Sequence, residues 1–557
     1  MEISDRRIET DVLVIGGGLA GCMASIKATE ENVKVAIAEK ANTLRSGCAA
    51  TGISHYWVHI PEIHDSLFSA EDLVSDLTNA VEGIADKKLL RVMVQESYDR
   101  LLDLEKYGQK IRDEKGNLDL MTKLGVKTET WRMIGIPTVH FYGRDLKVRL
   151  TEEALRRGVK IYNRIMVTNL MTEGNSVIGA VGINVRNGDF WIFKSKATVL
   201  ATGCVNRLYK QPFGSPFSSW FPPSCTGDGH TMALRAGAGL INMEFPKKFP
   251  HIIGLDKSGG ITEFYPTGRM VNAKGDIFML KGRYYMGYAD AVTKEIEEGR
   301  GPVFIICPGS TDEDIDYMLH SIMNETGGYA VVQYFQEKGI DLKKDKVELS
   351  LYEPIHFDGH NGVVVDTEGR TCLKGLFAAG DVMGGAPYGN ATGAFVIGAR
   401  AGKAAAKCSL KAAEPRIDES QVESEKERVY APLKRKEGVT WQELQLAMQN
   451  IMTYYTDGIR TEAMLKTALE RLMGLRDEMF PKLYAKDAHE LKRTLEVMNL
   501  MDIAEVVIAA ALERKESRLV PFHYRADYPE KDDKEWRAFL EARLEEGKLK
   551  LAKKPIG

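Results

Sequence analysis

Residues 11–21 read DVLVIGGGLAG, a short apolar run that ends in glycines spaced as GxGxxG. The apolar run predicts a buried strand, and the next eight residues predict a helix. In such a unit the first glycine makes the turn, the second lets the backbone approach a pyrophosphate, and the third lets helix and strand pack closely. The helix N-terminus faces the phosphates. The residues predicted to contact a dinucleotide here are Gly16, Gly18, Leu19, Ala20 and Gly21.

A second strand is predicted over 34–38, and an acidic residue closes it. Glu39 lies 23 residues after Gly16. A carboxylate at the end of the second strand accepts hydrogen bonds from ribose hydroxyls. The first forty residues therefore predict one strand–helix–strand unit that binds a nucleotide. A glycine-rich structural turn is the competing interpretation.

Two later segments favour FAD over NAD. Ala201-Thr202-Gly203 follows an apolar strand, and Gly380-Asp381 follows the run GLFAA. Both are strand-ending turns of the kind found in FAD-binding Rossmann domains. Asp381 is expected to accept a hydrogen bond from the ribityl chain. Each turn alone is common, and their order along the chain makes the FAD interpretation stronger.

Composition excludes several classes of protein. The chain has 557 residues, 44% of them hydrophobic and 27% charged, which is typical of a globular protein. Lys and Arg number 75 and Asp and Glu 78, so no field of one sign points to nucleic acid or an anionic membrane. No apolar run reaches the ~18 residues of a membrane span. The seven cysteines form no CxxC, so we expect no metal or iron–sulfur site in this chain and a reducing, cytoplasmic location.

Changes of pattern divide the chain into five segments. The class is α/β: an FAD-binding Rossmann-type domain with an inserted α+β capping domain and a C-terminal helical domain. The FAD-binding domain is predicted over 1–239 and 346–415, and the capping domain over 240–345. A charged helical domain is predicted over 416–520. A polar, irregular C-terminal segment is predicted over 521–557.

Taken together, these motifs resemble the flavoprotein subunits of the fumarate reductase/succinate dehydrogenase superfamily. That superfamily includes L-aspartate oxidase and the α subunit of dissimilatory adenylylsulfate reductase, which this chain resembles most. The resemblance covers nearly the whole chain. Further FAD contacts that it implies are Lys40, Ser46, Gly47, Asp228 and Gly393.

The resemblance also implies how FAD is held. Respiratory succinate dehydrogenases carry, after an Arg-Ser pair, a histidine that bonds covalently to the flavin. Here Gly47 follows Arg45-Ser46, so we expect non-covalent FAD. Where those enzymes place dicarboxylate-clamping and proton-donating arginines, a gapless comparison gives Asn390 and Tyr285, with Arg283 two residues from the latter. These replacements weaken the prediction of a C4-dicarboxylate substrate but do not exclude it.

Two segments are similar to adenylylsulfate reductase. Trp220 lies in a segment similar to the one that carries a tryptophan beside its flavin ring, although a core aromatic is the alternative. His360 lies in a segment similar to the one that carries a histidine near flavin N5. His356 competes for that role, because the dicarboxylate enzymes place theirs there. The arginine of the capping segment is missing, so Lys247, Lys248, His251 and Arg283 would have to bind a small anionic substrate.

Electron supply is expected from outside the chain. No iron–sulfur motif and no second GxGxxG unit are found. The resemblance therefore implies a ferredoxin-like [4Fe-4S] partner subunit in a hetero-oligomer. The resemblance implies a catalytic FAD subunit that carries out two-electron reduction or oxidation of a small anionic substrate, with adenylylsulfate or sulfite and AMP as one candidate. Three other interpretations stay open: a fumarate reductase-like reductase of another small organic acid, a non-catalytic FAD electron-transfer subunit of a larger redox complex, and an oxidase like L-aspartate oxidase.

Overall fold

A computed structural model describes residues 3–120, 132–133, 136–212, 216–217, 219–255, 268–278, 286–325 and 328–556. The first region comprises β1 (Asp5–Ile15), α1 (Leu19–Thr29), β2 (Val35–Glu39), β3 (His55–Trp57), α2 (Pro61–His64), α3 (Ala70–Ala80), α4 (Lys87–Lys106), β4 (Arg132–Met133), β5 (Ile136–His140), α5 (Leu146–Arg156), β6 (Lys160–Asn163), β7 (Ile165–Glu173), β8 (Ser176–Asn184), β9 (Phe190–Leu200), α6 (Asp228–Arg235) and β10 (Leu240–Ile241). The middle region comprises β11 (Pro250–Ile252), β12 (Arg269–Val271), α7 (Met286–Glu297), β13 (Val303–Ile306), α8 (Asp312–Asn324), α9 (Gly328–Lys338) and β14 (Val347–Leu351). The last region comprises β15 (Gly362–Val363), β16 (Leu376–Ala378), α10 (Asn390–Ser409), α11 (Glu419–Tyr430), α12 (Trp441–Thr456), β17 (Ile459–Arg460), α13 (Glu462–Met479), α14 (Ala488–Glu513), β18 (Tyr524–Arg525), α15 (Asp533–Trp536), β19 (Ala538–Glu545) and β20 (Lys548–Pro555).

The central sheet is built around β1. Its strands run in the order β6-β2-β1-β9-β8-β7, and the first four are parallel. β16 also pairs with β9, in parallel, beside the half of β9 that β8 leaves free. The end of β1 is apolar and buried over Val12–Ile15, as a strand covered on both faces requires. The predicted strand–helix–strand unit and the predicted final parallel strand are both confirmed.

Small residues let two helices pack closely over this sheet. A Cβ at Gly402 of α10 would lie 2.1 Å from the Ala24 carbonyl oxygen of α1, and one at Gly398 would lie 2.8 Å from the Ala20 carbonyl oxygen. These distances are shorter than a real side chain allows, so glycine is required at both positions. Because β1, β2, β9 and β16 are parallel, their carboxyl ends lie at the same edge of the sheet. Ligands bind at this edge in folds of this kind.

The capping region forms its own layer. Strands β11, β14, β13 and β12 make an antiparallel sheet in that order, and α7, α8 and α9 accompany it. A separate apolar core includes Ile252, Val303, Met318 and Leu349. The α+β character predicted for the inserted segment is confirmed.

The C-terminal segment differs from the expectation of an irregular tail. β19 and β20 form an antiparallel hairpin, and β19 pairs with β10, so that Leu240 lies opposite Ala542. The hairpin buries Phe539, Leu540 and Ala542. The helical region before it is confirmed by α11 to α14. No helix in the described part of the chain is long and apolar enough to cross a membrane.

Candidate functional site

A long cavity lies at the carboxyl ends of the parallel strands. It is lined by most of the residues that the sequence assigns to the cofactor: Gly16, Gly18, Leu19, Ala20, Glu39, Lys40, Ser46, Gly47, Ala201, Thr202, Gly203, Asp228, Gly380 and Asp381. Gly21 and Gly393 do not line it. Segments more than 300 residues apart therefore meet around one space.

The three glycines of the first loop act differently. Gly16 has φ +99°, and a Cβ there would lie 2.3 Å from the Ala201 carbonyl oxygen. A Cβ at Gly21 would lie 1.9 Å from the Gly16 carbonyl oxygen, so Gly21 lets α1 pack against the turn. Gly18 caps α1, and a Cβ there would meet no protein atom within 4 Å. Gly16 and Gly21 thus serve the fold, whereas Gly18 keeps the cavity free at the helix N-terminus.

At the β2 end of the cavity, Glu39 is held by the backbone. Its two carboxylate oxygens accept hydrogen bonds from the Gly17 nitrogen at 2.7 Å and the Ala41 nitrogen at 2.6 Å. Two fixed donors orient the carboxylate without neutralising it. Glu39 is 7% exposed and lines the cavity, where ribose hydroxyls of a bound nucleotide would be its partners.

Lys40, the next residue, is engaged by two acids. Its ammonium lies 2.7 Å from an Asp228 carboxylate oxygen and 3.0 Å from a Glu496 oxygen. Burial alone would lower the pKa of Lys40, but these two charges raise it above its ordinary value. Burial would raise the pKa of Glu496, yet Lys40, Lys492 and Arg207 lower it. The ion pairs of Lys40 with Asp228 and Glu496 join the FAD-binding domain to α14 and keep Lys40 charged.

Asp381 faces the middle of the cavity. Burial, followed by the nearby Asp358 carboxylate, raises the pKa of Asp381 to about 7. One of its carboxylate oxygens accepts a hydrogen bond from the Asp358 nitrogen at 3.1 Å. Across the cavity wall, the buried Thr202 hydroxyl has no hydrogen-bond partner among the described residues. Both groups are suited to the polar chain of a cofactor.

An aromatic wall, formed by Trp220, Phe221, Phe249 and Phe357, closes one part of the cavity. Trp220 stacks on Phe221 with ring centroids 4.6 Å apart, and Phe249 lies 4.8 Å from Trp220. Phe357 is 5.4 Å from both Phe221 and Phe249. Such a wall offers an apolar surface to a planar ring and excludes water. The structure places Trp220 in the lining of the cavity, and its contact with a flavin ring stays a prediction.

A polar group that the sequence analysis missed lies where the capping region meets the FAD-binding domain. His55 of β3 and Glu325, just after α8, both line the cavity. The Ser54 hydroxyl lies 2.7 Å from a Glu325 carboxylate oxygen. Burial would raise the pKa of Glu325, but hydrogen bonds from His55 and Ser54 hold it below its ordinary value. Glu325 and His55 are 270 residues apart, so no sequence spacing could reveal the pair.

A chain of hydrogen-bonding groups leads from this pair toward the surface. The Ser321 hydroxyl lies 3.4 Å from His55 Nε2 and 3.1 Å from His140 Nε2. His140 Nδ1 in turn lies 3.3 Å from a carboxylate oxygen of the partly exposed Asp119. Burial lowers the pKa of His140. The groups His55, Ser321, His140 and Asp119 can pass a proton between solvent and cavity.

The two predicted catalytic histidines do not line the cavity. His356 and His360 are both fully buried, and their Nε2 atoms lie 2.8 Å from the Met243 carbonyl oxygen and 3.2 Å from the Ile84 carbonyl oxygen. Burial lowers the pKa of His356 to about 4, and burial with the charge of Lys247 holds the pKa of His360 well below its ordinary value. Both imidazoles are buried outside the cavity lining, each with Nε2 on a backbone carbonyl oxygen, and their lowered pKa values favour the neutral form.

The predicted anion-binding side chains are also directed elsewhere. Lys247 is fully buried in an ion pair with Asp358, and Lys248 pairs with Asp457. His251 is buried behind Trp220, with ring centroids 4.7 Å apart, and burial lowers its pKa to about 3. None of the three lines the cavity. Arg283 and Tyr285 lie outside the described residues.

Among the described lining residues, Lys40 is the only lysine or arginine. Asn390, at the start of α10, does line the cavity, as does Tyr288 of α7. Cys48 and Cys225 also line it, and neither was predicted. Asn390 was identified by the gapless comparison, whereas Tyr288, Cys48 and Cys225 carry no motif that marks them.

Comparison with known proteins assigns the fold to a family. A family model described as FAD binding domain matches residues 11–395, and one described as Fumarate reductase flavoprotein C-term matches residues 445–557. The fumarate reductase (CoM/CoB) of Methanothermobacter marburgensis has a subunit that is 30% identical over 94% of this chain and 95% of that protein. The chain belongs to the fumarate reductase/succinate dehydrogenase flavoprotein family.

Members with solved structures share the whole architecture. The adenylylsulfate reductase of Archaeoglobus fulgidus superimposes with a TM-score of 0.89 at 26% identity, over 100% of this chain and 97% of that one. The alpha subunit of the adenylylsulfate reductase of Megalodesulfovibrio gigas is 23% identical over 98% of this chain and 95% of that protein. The expected resemblance is confirmed.

The cofactor of this family fits the cavity. Gly18 leaves the N-terminus of α1 open to phosphates, Glu39 is oriented for a ribose, and the Thr202 hydroxyl lacks a protein partner among the described residues. The chain is therefore an FAD-dependent oxidoreductase. FAD supplies two-electron chemistry when bound, and the protein supplies position and charge.

Proposed function

We propose that the chain is the catalytic FAD subunit of a reductase that acts on a small anionic substrate, with adenylylsulfate as the first candidate. The observation that carries this proposal is the aromatic wall of Trp220, Phe221, Phe249 and Phe357 in the FAD cavity. A catalytic flavin site needs an apolar surface that fixes the ring and keeps water away. A pure electron-transfer subunit has no need of a second polar group beside that wall, and His55 with Glu325 is such a group.

The proton path is assigned to the groups that face the cavity. Reduction of fumarate to succinate consumes two electrons and two protons. Reduction of adenylylsulfate consumes two electrons and releases AMP and sulfite, whose basic oxygens take up a proton near neutral pH. His55 is the proton donor in this proposal, and Glu325 positions it through Ser54. Ser321 and His140 then return a proton from the side of Asp119. This assignment replaces His360 and His356, which are bound to backbone carbonyls behind the wall.

Anion binding is assigned to the capping segment that precedes α7. Arg283 lies five residues before Tyr288, which lines the cavity. A cation from this segment would supply the charge that the described lining residues lack, because Lys40 is already paired with two acids. Replacing Arg283 with Met is expected to raise the substrate KM more than it lowers kcat, because the charge binds substrate and transition state alike.

FAD is proposed to be non-covalent, and electrons are proposed to enter from a ferredoxin-like [4Fe-4S] subunit. Gly47 lines the cavity at the position where the resemblance places an attached histidine, and glycine has no side chain that could bond to the flavin. Several relatives are named as subunits, which agrees with a hetero-oligomer. Acid precipitation should release all the FAD, and a reduced two-cluster ferredoxin should reduce the purified chain.

A spectral titration tests the proposed substrate. The oxidised holoprotein is titrated with adenylylsulfate, with fumarate and with AMP, and the flavin absorbance is followed. A saturable shift with adenylylsulfate that weakens in the Trp220→Ala variant supports the proposal. Trp441→Phe, in the helical region away from the cavity, is the matched control. No shift with any of these anions in the wild type would contradict it.

Fumarate is the second candidate, and one observation favours it. The Methanothermobacter marburgensis relative, 30% identical over 94% of this chain, belongs to a fumarate reductase. Asn390 lines the cavity at the position that the gapless comparison assigns to the dicarboxylate clamp. An amide can donate a hydrogen bond to one carboxylate but carries no charge. A spectral shift with fumarate alone would select this candidate.

A further inference from the structure

Three cysteines from three separate loops converge at the cavity wall. Cys48 follows the turn after β2, Cys204 follows β9, and Cys225 precedes α6. Their sulfur atoms all lie within 4.8 Å of one another, and Cys48 Sγ is 3.8 Å from Cys204 Sγ. Cys204 and Cys225 are buried and Cys48 is half-buried. In the described part of the chain, no other three His, Cys, Asp or Glu side chains converge in this way.

The distance between the sulfur atoms matches that between two ligands of one metal ion. It therefore favours a metal site over cysteines that merely fill space in an apolar core. In a tetrahedral site with Zn–S bonds of about 2.3 Å, two sulfur ligands lie about 3.8 Å apart. That is the separation of Cys48 and Cys204. The expectation of no metal site rested on the wide spacing in sequence, whereas Cys48 and Cys204 are 156 residues apart and still meet. Sulfur donors select soft, thiophilic ions.

We propose that Cys48, Cys204 and Cys225 hold a thiophilic d10 cation of the Zn²⁺ class at the wall of the FAD cavity. Cys204 does not line the cavity, so an ion shared by all three is set into the wall beside the cofactor. An Asp381 carboxylate oxygen lies 3.9 Å from Cys48 Sγ and is an oxygen donor beside the three thiols. Three protein ligands, with a fourth coordination position that faces a cavity, are typical of a zinc site that can also bind water or a small ligand.

Metal content of the holoprotein tests this proposal. The FAD-loaded chain is equilibrated with Zn²⁺, freed of loose metal and analysed for zinc and flavin together. We expect one zinc ion per FAD. In a parallel titration, Cd²⁺ should give an ultraviolet sulfur-to-metal charge-transfer band that saturates at one ion per chain. Bound metal should also protect the three thiols from alkylation, which mass spectrometry reads residue by residue.

Variants separate this site from adventitious binding. Cys204→Ser should weaken Cd²⁺ binding by more than the ~10–100-fold that loss of an outer partner costs a metal site. Because Cys204 lies outside the lining, its FAD content should match the wild type. Cys408→Ser, in α10 away from the cluster, is the control and should keep both metal and FAD. The proposal would be overturned if the wild type bound no zinc and gave no Cd²⁺ charge-transfer band. It would also be overturned if Cys204→Ser bound Cd²⁺ as tightly as the wild type.

Discussion

The Ser54 hydroxyl lies 2.7 Å from a Glu325 carboxylate oxygen, which joins the FAD-binding domain to the end of α8 in the capping region. The contact is tight, because a Cβ at Gly52 would lie 2.3 Å from the Asn324 carbonyl oxygen. His55, next to Ser54, faces the cavity beside Glu325. The capping region thus contributes a charged group to the site and fixes the imidazole that faces the cofactor.

Neutralising Glu325 should slow turnover without removing FAD. Glu325→Gln keeps an acceptor oxygen for the Ser54 hydroxyl but removes the carboxylate charge that lies 3.6 Å from His55 Nδ1. We expect kcat to fall by about 10²–10⁴-fold, the range of general acid–base catalysis, with little change in KM. Glu313→Gln, at an exposed position in the first turn of the same helix, should behave as wild type.

The glycines of the first loop should separate folding from cofactor binding. Gly18 has φ −70° and open space around it, so Gly18→Ala should leave the Tm of the FAD-free chain within about a degree of wild type. The added methyl group points into space that phosphates need, so FAD affinity should fall at least tenfold. Gly21→Ala should instead destabilise the FAD-free chain, because its Cβ meets the Gly16 carbonyl oxygen. Equal Tm losses in both variants would contradict these roles.

Removing the Lys40 charge should destabilise the fold. Lys40→Met leaves the Asp228 and Glu496 carboxylates without their shared ammonium. Breaking a buried ion pair costs about 3–5 kcal/mol. Asp228 keeps hydrogen bonds from Thr226 and Asn499, so we expect the lower part of that range in the free energy of unfolding in urea. Lys106→Met, whose ammonium is mostly exposed, is the control. A double variant with Asp228→Asn should recover part of the loss.

The FAD-free chain should lose stability as pH rises through the range in which Asp381 titrates. The folded pKa of Asp381 is about 7, against an ordinary value of 3.8. The folded state therefore holds a proton that the unfolded state has released, and stability falls between about pH 4 and 7. Asp381→Asn should flatten this part of the Tm-versus-pH curve. A curve of unchanged slope in the variant would show that other groups cause the decline.

Most of the cofactor contacts predicted from the sequence line the cavity, but the pair of His55 and Glu325 was not predicted. The glycine loop, Glu39 and Asp381 are local signals, because strand ends and turns mark them one element at a time. His55 and Glu325 meet only when the capping region docks, so no local spacing encodes their contact. Lys247 was predicted as a free cation because its partner Asp358 lies 111 residues away. The hairpin β19–β20 was missed because the strand that orders it, β10, lies about 300 residues earlier.

The most direct test of the central claim is anaerobic reoxidation of the reduced holoprotein. The FAD-loaded chain is photoreduced and then mixed with adenylylsulfate, fumarate or buffer. Flavin absorbance is followed until the spectrum of free oxidised FAD in the protein, without any substrate bound to the flavin, has returned. We expect rapid reoxidation with a small anion, adenylylsulfate first, and a much slower rate in Glu325→Gln. A flavin that stays reduced with every anion, yet passes electrons to an oxidised ferredoxin, would contradict the catalytic role and identify an electron-transfer subunit.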